Sequence, residues 1–196
     1  QTTVAEMREY AAFLREFAER DKQNVPLRHV LTHASGLKPW RGFHETLLHG
    51  ERKKGEHWIG TQAAHDWILE SICRSALVHE PASGAVYGDL DFIVLGAALE
   101  QIAGERLDAF CARRIYAPLG LSDTHFNPLP YRGDRARYAA TEQCPWREKV
   151  VWGEVHDGNC WAMGGVAGHA GLFATARDVM RFGEEMLAAE RGESAL

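Results

Sequence analysis

The chain has 196 residues, 45% of them hydrophobic and 25% charged, with a formal net charge of −5. That length supports one sizeable core, and residues 1–196 read as a single domain or part of one. The 22 basic residues are scattered and form no stripe, which argues against a nucleic-acid partner. No apolar run approaches the ~18 residues of a membrane-spanning helix.

No positively charged start leads into an apolar segment, so no signal peptide is legible and the compartment stays unassigned. The first residue is Gln1 rather than Met, which points to a removed N-terminus. Cys73, Cys111, Cys144 and Cys160 show no C-x-x-C or other metal-like spacing. Cys73 and Cys111 fall in apolar-periodic segments and read as small core residues. None of the ten histidines forms H-E-x-x-H, so neither a structural metal nor a cofactor is expected.

Residues 4–18 place Val4, Met7, Ala11, Leu14 and Ala18 at helical spacing, which predicts an amphipathic helix. Pro26 suits the first turn of a short helix, "PLRHVLTH", ending at Ser35-Gly36. Residues 38–60, rich in Gly, His, Lys and Arg, read as an irregular surface excursion. Thr61 caps a helix to about Arg74, with Ala64, Trp67, Ile68 and Ile72 on one face.

"HEPASGAVYGD" is turn material. Two helices follow, over 90–103 and from Leu107 to Tyr116, terminated by Pro118 and Gly120. Ile93, Val94, Ala97, Ala98 and Ile102 give the first of them its apolar stripe. Residues 127–171 are rich in Gly, Pro and aromatics with little period. A stretch this long is either a functional loop or holds strands without a clear signal. Thr175 caps a last helix over 176–190. About six helices and no convincing strand pair make the class mainly α.

Three segments carry a resemblance. "LRHVLTHASGL" (27–37) resembles the leucine-rich helix and His-Thr-Ser-Gly-Leu turn of class C β-lactamase and penicillin-binding-protein-like serine hydrolases. "VYGDLDFIVLGAALEQIAGERLDAFCARRIYAPLGLSDTHF" (86–126) is similar to that family's Tyr-x-Asn segment and the two helices after it. "GEVHDGNCWAMGGVAGHAGLFATARDVMRF" (153–182) resembles its Gly-rich loop and the following helix. The segments occur in family order and cover most of 25–190.

The resemblance implies the helical lobe of the β-lactamase/transpeptidase-like fold, whose full form pairs an all-α lobe with a sheet lobe. It implies a chain matching the middle of that fold, without the sheet lobe, the Ser-x-x-Lys helix or the third motif. The implied reaction of the whole protein is cleavage of an amide or ester in a small-molecule or peptide substrate through an acyl-enzyme. A different class stays open: a natural, non-catalytic helical binding module derived from the family.

Ser35 and Lys38 do form a Ser-x-x-Lys pattern, which in this family supplies the nucleophile and its activating lysine. The resemblance matches Ser35 to the serine of the turn instead. The local residues agree, because the pair works when helical spacing puts both side chains on one face. Gly36 sits between them, and Pro39 pushes Lys38 out of the α region. No other serine has a lysine three residues on.

By resemblance Tyr87 is the proton-shuttling tyrosine, and Asp89 takes the family's Asn position. A phenol of pKa ~10 acts as a base only beside a cation. A carboxylate accepts hydrogen bonds where an amide also donates. "GHAG" (168–171) offers His169 and Gly171 either as a ligand-contacting His-x-Gly or as a plain connection. "VHDGN" (155–159) offers His156, Asp157 and Asn159, which either line a cleft or cap turns. A lobe separated from its sheet would also self-associate through its uncovered apolar face.

Overall fold

The computed structural model describes residue 22 and residues 24–49, 58–127 and 133–194. The helix expected over 4–18 lies outside them. Seven helical segments carry the fold among the described residues: α1 (Leu27–Leu31), α2 (Phe43–His49), α3 (Gln62–Arg74), α4 (Asp89–Ala103), α5 (starting Leu107–Cys111), α6 (Gly158–Ala162) and α7 (Ala176–Glu190). Two small antiparallel sheets accompany them. One pairs β1 (His125–Phe126) with β4 (Leu172–Phe173), and the other is a hairpin of β2 (Ala140–Cys144) and β3 (Lys149–Trp152).

The long helices follow their sequence signals. The Thr61 side chain accepts the Ala64 N–H at the start of α3, and Thr175 accepts the Asp178 N–H at the start of α7. Ala64, Ile68 and Ile72 of α3 pack against Leu90, Ile93, Val94 and Ala97 of α4 in the buried core, with Trp67 half-buried beside them. α2 and α6 close that core with Phe43, Leu47, Cys160 and Ala162. Gly104, left-handed at φ 67°, ends α4, and α5 then packs back against it.

Five sequence expectations are corrected. The 38–60 stretch is not wholly irregular, because Phe43–His49 is helical. Its seven residues are too few to show a period, and tertiary bonds hold them: the His44 N–H donates to the Asn159 side-chain oxygen. Pro118 does not end the second helix. The chain widens into a π-turn at Ala112–Tyr116, re-forms a helical turn at Ala117–Leu119 and stops at Gly120, φ 63°. Proline has no N–H for a carbonyl one turn back, and a π-turn just ahead of it absorbs the changed pairing.

A strand pair does exist in 127–171. Its strands are short and mostly exposed, with Cys144 and Val151 turned inward, so alternation is faint. Ile102, finally, is exposed rather than part of the buried stripe, and Cys111 is only half-buried.

One close approach positions the site. The 164–171 loop lies directly on α4 where Gly96 meets Gly168. A Cβ at Gly168 would fall 2.1 Å from the Phe92 carbonyl oxygen, so any side chain would lift the loop away. The contact carries His169 to the N-terminal turn of α4.

Candidate active site

The "HASGLKPW" stretch is the wall behind Tyr87. His33 adopts a left-handed φ of 56°, unusual for a residue other than glycine. Its carbonyl accepts the Val86 N–H at 2.9 Å, and the Pro39 carbonyl accepts the Asp89 N–H at 2.8 Å. Gly88 sits so close to Pro39 that a Cβ would be 2.3 Å from the Pro39 Cα. These bonds present Tyr87 outward. Its side chain is 80% exposed, and its hydroxyl makes no hydrogen bond among the described residues. The His33 ring lies between the Tyr87 and Phe92 rings, with centroids 4.8 and 5.0 Å away.

Ser35 is 1% exposed, and its Oγ accepts the Leu37 N–H at 3.0 Å. Lys38 is exposed. One side chain is buried and the other solvated, so they do not act as a pair. Behind Ser35 lies Asp91, buried, with a carboxyl oxygen 3.4 Å from His33 Nδ1. Burial raises the Asp91 carboxyl, and the Ser35 and His33 contacts offset this only in part.

Asp89 opens α4 beside Tyr87. Across from it, Asp157 caps α6 by accepting the Cys160 N–H at 2.7 Å, and the same oxygen lies 2.9 Å from His169 Nε2. The His169 side chain is 4% exposed, and its Nδ1 has no partner among the described residues. The two carboxyls move in opposite directions. Burial raises Asp89, and the charge of Asp157 adds to it against the opposing pull of His169 and His33. Burial also acts on Asp157, but the His169 hydrogen bond and charge, with the Cys160 amide, hold it below the ordinary value. Asp89, Asp157 and His169 each offer a ligand atom within 4.8 Å of the others, a spacing that would admit a cation.

Tyr87, Asp89, Asp157 and His169 are thus brought together. The other three candidates are placed elsewhere. His156 is exposed, 3.3 Å from a Glu142 carboxyl oxygen, on a neighbouring cavity shared with Gly171, His125, Tyr138 and Phe173. Asn159 is buried, its side-chain N–H donating to the Arg41 carbonyl and its oxygen accepting the His44 N–H. Gly171, at φ 106°, lets the loop turn against the Gly165 carbonyl. Sequence reasoning missed His33, Asp91 and Phe92. His33 and Asp91 are polar residues inside segments that read as turn and helix, and their meeting is set by the turn, not by any local period.

A helical body whose central helix opens on a Tyr-Gly-Asp turn at a cavity has counterparts of known structure. A β-lactamase/D-alanine carboxypeptidase from Pseudomonas syringae superposes with a TM-score of 0.60 at 16% identity, over 93% of this chain and 46% of that one. A penicillin-binding protein homologue from Pyrococcus abyssi gives 0.56 at 19% identity, over 90% and 37%. These likenesses show the fold. The beta-lactamase family model matches residues 4–196, and the chain belongs to that family. A protein of Escherichia coli K12, named "Putative D-alanyl-D-alanine carboxypeptidase", is 39% identical over 131 residues. The match takes in 61% of this chain and spans 30% of the length of that relative.

Proposed function

We propose that the protein containing this chain is a serine hydrolase that cuts an amide or ester bond in a small-molecule or peptide substrate, and that residues 1–196 supply the helical side of its cleft. The nucleophilic serine comes from a part of the protein other than this chain. Tyr87 takes the proton from that serine's hydroxyl as its oxygen bonds to the substrate carbonyl carbon. It then gives the proton to the leaving amine or alkoxide, and water repeats the exchange to free the acid. A lysine brought in with the nucleophile would favour the phenolate. Asp89 stands at the lip of the same cavity, where it can accept a hydrogen bond from the substrate.

The observation that carries this reading is the outward phenol of Tyr87, free of hydrogen bonds among the described residues, on a turn fixed at both flanks beside Asp89 and His169. The test is turnover of p-nitrophenyl acetate and of a D-alanyl-D-alanine peptide by the longer polypeptide. Tyr87→Phe should lower kcat by about 10²- to 10⁴-fold with KM little changed. Wild-type kcat in that variant would remove Tyr87 from the reaction.

A further inference from the structure

We infer that the cavity between the start of α4 and the 164–171 loop recognises an organic ammonium group, so that the preferred substrate carries a protonated amine near the bond that is cut. The word "substrate" rests on the hydrolase reading above; the ammonium site itself does not.

The cavity, of about 280 Å³, combines two kinds of surface. Tyr87 and Phe92 give it aromatic rings, with His33 between them. Asp89 gives it a carboxylate, backed by Asp157 within 4.8 Å of the Asp89–His169 group. Among the described residues, no lysine or arginine lines it. Rings that attract a cation through their faces, set beside a carboxylate, are what an alkylammonium ion needs. Its three N–H groups all donate, which suits a cluster of acceptors.

Asp89 has no hydrogen-bond partner among the described residues, although His169 and His33 attract its charge. Its carboxylate is half-buried and receives no side-chain or backbone hydrogen bond among the described residues, while Asp157 repels it. A ligand cation would relieve both. The positive end of α4 opposes such a cation by roughly half an elementary charge, and any charge on His169 or His33 adds to that opposition; against it stands the full carboxylate of Asp89, with Asp157, already paired to His169, behind it. A neutral or anionic ligand group would find less here: the cluster repels an anion, and His33 is already engaged with Asp91.

A metal ion fits less well. The Asp157 oxygen nearest His169 already serves the Cys160 N–H, and a hard ion calls for several further oxygen ligands. The cavity is also much larger than a bare ion.

The experiment is an NMR titration of this chain with alaninamide, as both enantiomers, and with N-acetyl-alaninamide. The expected result is saturable shifts at the Gly88, Asp89, Gly168 and His169 amides with the free amine. Acetylation should weaken them about tenfold or more, the worth of one charge-assisted hydrogen bond. Asp89→Asn should weaken them likewise while keeping the wild-type circular dichroism spectrum. Equal binding of both compounds, no shift with either, undiminished binding in Asp89→Asn, or a response to Zn²⁺ but not to the amine would each overturn the inference. The readout needs no turnover. Saturable amine binding without hydrolysis by the longer polypeptide would therefore sink the hydrolase reading alone. Hydrolysis without discrimination between the two compounds would sink this inference alone.

Discussion

At the residue scale, Asp89 stands out because the fold holds its charge at a cost. Its carboxyl is raised, first by burial and then by Asp157. A carboxyl raised on folding opposes folding while it is ionised, and that opposition fades as pH falls through the raised value. Asp89→Asn should therefore raise the thermal midpoint at neutral pH. The gain should shrink as pH falls through the raised value of Asp89 and vanish below the ordinary carboxylate range, where the carboxyl is protonated in folded and unfolded chain alike. Thermal melts of both proteins across that range read this directly. A gain independent of pH would mean that something other than charge is being relieved.

At the element scale, α4 is the axis of the molecule. Its first turn holds the candidate site, and its middle carries Ile93, Val94 and Ala97 into the core. Ile93 is 1% exposed. Ile93→Ala should cost about 2–5 kcal/mol in denaturant unfolding, from lost burial plus the cavity left behind. A change below about 0.5 kcal/mol, the range of surface substitutions, would contradict this packing.

The same helix shows why parts of the fold were legible. α3, α4 and α7 are each longer than ten residues, and two of them have threonine caps with the cap hydrogen bond in place. Length and caps leave a signal in sequence. α2, the β2–β3 hairpin and the π-turn do not, because short elements are fixed by contacts with distant residues. The site divides similarly. Tyr87 and Asp89 stood out through a motif. The pairing of Asp157 with His169 depends on the Gly96–Gly168 approach, which no spacing announces. Asn159 lay in the same polar loop as Asp157 and looked alike in sequence, yet it is buried against Arg41 and His44.

At the scale of the whole molecule, apolar surface remains open. Leu31, Leu99 and Ile102 line an apolar groove with Leu27, Leu95 and Phe126, and Val179, Met180, Phe182, Met186 and Leu187 of α7 are exposed. Contiguous apolar patches beyond a few hundred Å² usually mark an interface. The chain by itself is expected to self-associate. Size-exclusion chromatography with light scattering should show species larger than 21.9 kDa that grow with concentration. A clean monomer that binds no apolar dye would show instead that this surface is content in water.

The central claim is that this chain carries the helical side of a hydrolase cleft, with Tyr87 but not the nucleophile. Intact-mass analysis after fluorophosphonate or penicillin treatment tests it most directly, on this chain and on the longer polypeptide. No adduct is expected on the chain alone, and in the longer polypeptide one adduct is expected on a serine outside residues 1–196. Stoichiometric labelling of Ser35, abolished by Ser35→Ala, would contradict it and make "HASGLKPW" the catalytic segment.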